Sequence, residues 1–180
     1  MSDGLIPRRY AKALYKLAVE KGDSEEIYDI LRRISFRHAS IDQLKRAMLN
    51  PNYSDEEKGA SMLKLVGGKP GGSLDKFLLL CMRNNRSDYL QKIALAYIDL
   101  YREAHEIAHV VITTAVPMPE AEYDAIIDIV KKRLGAMTLE VEQVIDPDLI
   151  GGFTVNINGL VLDASVKREL NEMRLQLMKK

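Results

Sequence analysis

Residues His105 to His109 read HEIAH and match the H-E-x-x-H pattern of zinc proteases. In that pattern two histidines four positions apart lie on one helix face and hold the metal, while the glutamate polarises a metal-bound water. Because the pattern specifies only the histidines and the glutamate, chance matches are common. A zinc hydrolase is therefore one hypothesis, and it predicts stoichiometric zinc in the purified protein.

The segments around HEIAH do not supply the long helix that a zinc protease requires. Apolar residues repeat at helical spacing from Leu90 to about residue 107, and the β-branched segment HVVITTAV then predicts a strand. His109 is therefore expected at or beyond the helix end. The remaining histidine, His38, lies far upstream in another predicted helix, and no later glutamate stands in a recognisable motif. These residues favour a charged helix end at a domain junction.

The composition is that of an ordinary globular protein without a catalytic constellation. Of the 180 residues, 47% are hydrophobic and 29% are charged. Lysine plus arginine equals aspartate plus glutamate at 26 each, so the basic excess typical of nucleic-acid binders is missing. The single cysteine, Cys81, is expected to be a buried apolar side chain. The longest apolar runs fall far short of the ~18 residues of a membrane span, so membrane attachment would require a partner.

The first part of the chain has the apolar periodicity of helices. Asp23 with Glu26, and Ser54 with Glu57, have the spacing of capping boxes. The fifth helix is apolar nearly all round, which is typical of a central helix in a bundle. Six helices are expected, namely IPRRYAKALYKLAVEKG, the segment after Asp23, SIDQLKRAML, the segment after Ser54, LDKFLLLCMRNN, and the segment from Leu90 to about residue 107.

The periodicity changes after residue 107. HVVITTAV and TLEVEQV predict strands separated by a helix, and FTVNINGLVLD predicts a hairpin around Asn158-Gly159. Asp163 or Ser165 can cap the amphipathic C-terminal helix. We therefore expect an α+β protein. An N-terminal six-helix bundle over 1–107 is followed by a small α/β domain over 108–180 with a short mixed sheet, a β-hairpin and a C-terminal helix.

Four sequence blocks, in order, resemble the delta subunit of the F-type ATP synthase, whose mitochondrial equivalent is the oligomycin-sensitivity-conferring protein. They are RRYAKALYKLA, NPNYSDEEK, LLLCMRNNRSDYLQKIALAYIDLY and DPDLIGGFTVNINGLVLDASVKRELNEMRLQL. The last block is the most specific, because it holds D-P-x-L-I-G-G, a hairpin, and D-x-S-V before the final helix. The resemblance covers nearly the whole chain.

The resemblance implies a non-catalytic stator subunit of the peripheral stalk, without cofactor or metal. Such a subunit links the catalytic head to the membrane sector, so that ion-driven rotation yields ATP synthesis. The bundle would receive the N-terminal helix of an alpha subunit in a groove between its first and fifth helices. The C-terminal domain would bind the b subunit of the stalk. The resemblance also implies a monomer when isolated, and a peripheral location on the cytoplasmic face of a bacterial cell membrane within the complex.

The resemblance assigns these contacts to apolar stripes of particular helices. The alpha groove candidates are Tyr10, Ala13, Leu14, Leu17, Phe77, Leu78 and Cys81. The b-subunit candidates are Leu170, Met173, Leu177 and Met178. We expect Leu14→Asp to abolish alpha binding and to leave the bundle folded. The competing hypothesis is a helical adaptor unrelated to the synthase, which would have no affinity for alpha or b segments.

Overall fold

A computed structural model describes residues 5–35, 54–135 and 137–178. The chain divides into two compact units, the N-terminal unit Met1–Ala104 and the C-terminal unit His105–Lys180. The N-terminal unit is helical where it is described, and the C-terminal unit combines a sheet with helices, so the α+β class is confirmed. The binding roles assigned to the two segments stay predictions.

The described part of the N-terminal unit contains five α-helices. They correspond to the first, second, fourth, fifth and sixth predicted helices, and a short 3-10 turn, Ser87–Tyr89, precedes the last. The third predicted helix, SIDQLKRAML, lies outside the described residues, so the expected count of six is not confirmed. The helices are α1 (Leu5–Lys21), α2 (Ser24–Ser35), α3 (Asp55–Val66), α4 (Ser73–Arg83) and α5 (Leu90–Ala104).

The core of this unit is built around α5, which packs against α1 and α2. Tyr97 of α5 is fully buried, and its hydroxyl donates a hydrogen bond to the Ser24 carbonyl oxygen at 3.0 Å. The Tyr15 ring of α1 meets the Tyr97 ring edge to face, with centroids 5.8 Å apart. The buried polar atom therefore has a partner, and the rings fix α1 on α5.

One predicted capping box forms and the other does not. Ser54 accepts a bond from the Glu57 amide, and Glu57 accepts one from the Ser54 amide, as predicted. The Asp23 carboxylate instead accepts a bond from the Ser73 amide of α4 at 3.1 Å. The Asp23–Glu26 box is therefore wrong, because Asp23 caps α4, whose preceding residue, Gly72, has no side chain to do so.

The C-terminal unit is a four-stranded mixed sheet with one face covered by a helix. The strands lie in the order β2-β1-β3-β4, with β1 parallel to β2 and antiparallel to β3, and β3 antiparallel to β4. The predicted mixed sheet, hairpin and C-terminal helix are thus present. The elements are β1 (Ile107–Thr114), α6 (Glu120–Leu134), β2 (Thr138–Ile145), a 3-10 turn (Pro147–Leu149), β3 (Gly152–Ile157), β4 (Leu160–Ser165) and α7 (Val166–Met178).

Alternation along β1 explains which face of the sheet is covered. Ala108, Val110 and Ile112 are buried, whereas the residues between them are only partly buried. Val110 and Ile112 form one core with Ile127 and Val130 of α6. The single helix between two parallel strands therefore supplies the cover that the sheet needs on this face.

The start of β3 lies very close to the end of β4. Gly152 has φ +72°, and a Cβ atom there would collide with the Ala164 carbonyl oxygen. Gly159, in the hairpin turn, also has a positive φ of +91°, but a Cβ atom there would meet open space. The two glycines therefore separate the cost of backbone strain from the cost of a steric clash.

Gly152→Ala should destabilise the C-terminal unit by more than about 3 kcal/mol, since it adds a clash with main-chain atoms to the strained φ. Gly159→Ala, the matched control, should cost only about 1 kcal/mol, because strain alone applies. Urea denaturation followed by circular dichroism measures both losses. Equal losses of stability in the two variants would show that the close approach of β3 to β4 at Gly152 adds no steric cost.

Candidate partner-binding surfaces

The HEIAH segment does not have the helical geometry of a zinc site. Helix α5 ends at Ala104, Glu106 has φ +52°, and β1 begins at Ile107, so His105 and His109 do not share a helix face. His109 Nε2 instead lies 3.3 Å from Glu142 Oε2 on the neighbouring strand. Within residues 5–35, 54–135 and 137–178, no three His, Cys, Asp or Glu side chains are grouped to hold a metal ion.

Helices α1 and α4 lie side by side and run antiparallel. Near one end, the Tyr10 and Phe77 rings meet edge to face with centroids 6.3 Å apart, and Asn84 Nδ2 donates a hydrogen bond to the Tyr10 hydroxyl at 3.2 Å. At the other end, the Ser73 amide of α4 donates a hydrogen bond at 3.1 Å to the carboxylate of Asp23, which lies just beyond the end of α1. The predicted first and fifth helices thus face each other along a shared line.

The alpha groove candidates differ in their access to solvent. Leu14, Phe77, Leu78 and Cys81 are buried in the core of the N-terminal unit. Tyr10 and Leu17 are half-buried, and Ala13 is exposed. The buried residues therefore belong to the core, while the other three keep access to solvent. Their contact roles stay predictions.

Leu80 is an exposed apolar residue on the α1 side of α4 that the sequence reasoning missed. It is 46% exposed and lies one helical turn from both Phe77 and Asn84, the residues that contact Tyr10. On the other side of α4, Leu79 packs against Gly59 of α3. The spacing of three residues between Phe77 and Leu80 could have placed Leu80 on the α1 side of the helix. Because α4 is apolar nearly all round, its sequence does not show which leucines are exposed.

The expectation that Leu14→Asp leaves the bundle folded is wrong. Leu14 is only 1% exposed, so an aspartate there would place a carboxylate in the core and cost several kcal/mol of folding free energy. Loss of binding in that variant would not separate unfolding from loss of a contact. Substitutions at the exposed lining residues Ala13 and Leu80 make that separation possible.

A hydrogen-bonded junction fixes the start of α7. The Ser165 hydroxyl accepts a bond from the Arg168 amide at 3.2 Å, so Ser165, and not Asp163, is the cap. The side chain of Ser165 and its amide, at 2.9 Å, both bond to the Asp163 carboxylate, and these bonds lower the pKa of that carboxyl group. The Val166 amide donates to the Gly151 carbonyl oxygen at 3.1 Å. The first turn of α7 is therefore held to both β4 and the segment that enters β3.

Beyond its first turn, α7 exposes apolar side chains. The b-subunit candidates Leu170, Met173, Leu177 and Met178 are between 50% and 76% exposed. Register places Leu160 and Leu162 of β4 on the covered face of the sheet, opposite Ile157 and Val155, yet both leucines are largely exposed. An apolar surface of this kind typically marks a protein-protein contact.

Comparisons with known proteins indicate the same family over nearly the whole chain. The family described as ATP synthase delta (OSCP) subunit matches residues 6–177. A Bacteroides fragilis protein named ATP synthase subunit delta is 34% identical over 182 residues, which covers 100% of this chain and 97% of that protein. A protein of the same name from a Geobacillus species is 30% identical over 178 residues, covering 99% of each chain.

A chain in the cryo-EM structure of the Toxoplasma gondii mitochondrial ATP synthase hexamer has a similar fold. Its TM-score is 0.72 at 21% sequence identity, and the match covers 96% of this chain and 97% of that one. This likeness supports the fold alone. Among the helices that the structure describes, none is long and apolar enough to cross a membrane.

Burial of Cys81 makes the stability of the N-terminal unit sensitive to alkaline pH. Desolvation raises the pKa of the Cys81 thiol from 9.0 to about 12. Below pH 9 the thiol is neutral in both the folded and unfolded states. As pH rises from 9 towards 12, the unfolded chain loses this proton and the folded chain keeps it, so stability falls.

Cys81→Ala should therefore reduce the loss of stability between pH 9 and pH 10, even though the variant is less stable at pH 7. Urea denaturation at each pH measures this slope. Tyr97, whose pKa is raised by burial, is present in both proteins, so its contribution cancels. The same slope in both proteins would show that Cys81 does not titrate differently on unfolding.

Proposed function

Because this chain belongs to the ATP synthase delta (OSCP) family, and is thereby a non-catalytic peripheral-stalk subunit of an F-type ATP synthase, we propose that its two units bind opposite ends of the stator. The N-terminal unit binds the N-terminal helix of an alpha subunit, and the C-terminal unit binds the b subunit. The family match over residues 6–177 carries this proposal, and it disfavours an unrelated helical adaptor.

The groove between α1 and α4 is the proposed alpha site. Its exposed lining, Ala13 of α1 and Leu80 of α4, lies beside the Tyr10–Phe77 contact. The small side chain of Ala13 allows close approach of another helix, and Leu80 offers apolar area to cover. A helix laid along this line would bury its apolar stripe against both helices, as in other helix-in-groove complexes.

The exposed side of α7 is the proposed stalk site. Leu170, Met173 and Leu177 recur at helical spacing, and all are exposed in the described chain. Because the Ser165 cap and the bond from Val166 to Gly151 hold the first turn, α7 can present this stripe without first being ordered. A preordered helix loses less conformational entropy when a helical stalk binds to it.

Two finer features complete the proposal. The isolated chain is a monomer, a prediction that fits relatives named for one subunit of a larger enzyme, ATP synthase subunit delta. The complex that contains this chain lies at the cytoplasmic face of a bacterial membrane, an inference supported by the bacterial relatives of 30–34% identity.

Leu80→Asp should weaken binding of a peptide of about 25 residues from the alpha-subunit N-terminus by at least about tenfold, because it places a carboxylate on the apolar floor of the groove. Isothermal titration calorimetry should give one-to-one binding to the native chain, with a negative heat-capacity change. Leu95→Asp is the matched control, because Leu95 of α5 is 48% exposed. Similar losses in both variants would place the site elsewhere.

Leu170→Ser combined with Met173→Ser should reduce affinity for the end of the b subunit by at least about tenfold. Both residues are exposed, so the free energy of unfolding should change by less than about 1 kcal/mol. Calorimetry measures the loss of affinity, and urea denaturation measures the change in the free energy of unfolding. Ile129→Ser on α6, also an exposed apolar residue, is the control, and undiminished binding by the α7 variant would rule out this site.

A further inference from the structure

The hairpin between β3 and β4 turns on two residues whose types suit the geometry of the turn. Ile157 pairs with Leu160, so Asn158 and Gly159 alone connect the two strands. Their φ values are +49° and +91°, as in a type I′ turn, which asparagine and glycine tolerate better than other residues. Both residues are exposed. The hairpin therefore presents an asparagine–glycine peptide bond to solvent.

An asparagine followed by a glycine carries both partners of a cyclisation reaction. Once hydroxide has taken the proton of the Gly159 amide, that nitrogen can attack the side-chain carbon Cγ of Asn158. The new N–Cγ bond closes a succinimide ring, and the Cγ–Nδ2 bond breaks to release ammonia, which takes its third proton from water. Water then opens the ring at either carbonyl and leaves aspartate or isoaspartate. Glycine favours the attack because no Cβ atom hinders the approach to its nitrogen.

In the folded chain, hydrogen bonds hold the two reacting groups toward different strands. The Gly159 amide donates to Asn156 Oδ1 of β3 at 2.9 Å. Asn158 Oδ1 accepts from the His109 amide of β1 at 3.0 Å, and the Asn158 amide donates to the His109 carbonyl oxygen at 3.1 Å. The Asn158 side chain therefore takes the place of a carbonyl group in the ladder between β1 and β3.

Both side-chain bonds must open before the ring can close. Asn156 must release the Gly159 amide before a base can remove its proton, and the Asn158 side chain must leave His109 to bring Cγ to that nitrogen. One hydrogen bond in a folded protein shifts an equilibrium by about twofold to tenfold, so two of them reduce the reactive population by about tenfold or more.

We propose that Asn158 is a site of covalent modification, converted slowly to aspartate and isoaspartate, and that Asn156 sets the rate by holding the Gly159 amide. Asn156 is thus a positioning residue, since it acts on the nucleophile through one hydrogen bond. The co-reactants are hydroxide and water, which reach this exposed turn from solvent. The modification goes beyond the proposed function, because it needs no partner of the chain.

The isoaspartate product changes the main chain of the turn. Its backbone runs through the former side chain, which adds one carbon atom between the paired residues Ile157 and Leu160. Strand β4 passes directly into α7, with no residue between Ser165 and Val166. A distortion at the turn therefore acts on the strand that supports the proposed stalk helix.

The first test compares the folded full chain with the same chain unfolded in urea, both at mildly alkaline pH. Peptide mass spectrometry follows the replacement of the Asn158 side-chain NH2 by OH, and an isoaspartate-specific methyltransferase counts the isoaspartate product. We expect the folded chain to react at least about tenfold more slowly than the unfolded chain. Equal rates would overturn the control by the fold, and an unreactive Asn158 in the unfolded chain would overturn the site itself.

Substitution of Asn156 tests its role in the folded chain. Asn156→Ala should raise the rate about threefold to tenfold, whereas Asn156→Asp, which keeps an acceptor oxygen, should stay within about twofold of the native rate. Thr154→Ala, on the same face of β3, is the matched control, and hydrogen exchange of the β3 amides checks that the hairpin stays folded. An unchanged rate in Asn156→Ala, or an equal rise in Thr154→Ala, would overturn the role of Asn156.

Discussion

The bond from the Ser73 amide to the Asp23 carboxylate sets the arrangement on which the proposed alpha site depends. Asp23 lies two residues after the end of α1, and its carboxylate holds the first turn of α4 beside that end. At the far end of the same pair of helices, Asn84 of α4 donates to the Tyr10 hydroxyl. Polar bonds therefore hold both ends of this helix pair together.

The same residue connects the groove to the core. Burial raises the pKa of the Tyr97 phenol, and the charge of nearby Asp23 raises it further. The Tyr97 hydroxyl is bonded to the Ser24 carbonyl, one residue after Asp23. The turn between α1 and α2 is therefore held by α4 on one side and by α5 on the other. A substitution of Asp23 should change the packing of all four helices.

Local patterns could be predicted from the sequence where the decisive contacts are local. The Ser54–Glu57 box involves only neighbouring residues, and it forms as expected. Asp23–Glu26 has the same spacing, but a distant amide at Ser73 competes for the carboxylate, and Glu26 pairs with Lys69 at 2.8 Å. Periodicity likewise predicted the apolar faces of the helices. It could not predict that Leu14 is buried and Leu80 is exposed, because exposure depends on which neighbouring helix covers each face.

The two units meet the demands of a stator by different physical means. In its described part, the N-terminal unit buries most of its large apolar side chains and leaves isolated ones, such as Leu80, exposed. The C-terminal unit, whose small size limits its core, leaves apolar side chains of α7 and β4 uncovered. Covering such a surface removes apolar area from water and is insensitive to salt. The proposed stalk contact should therefore persist at high salt.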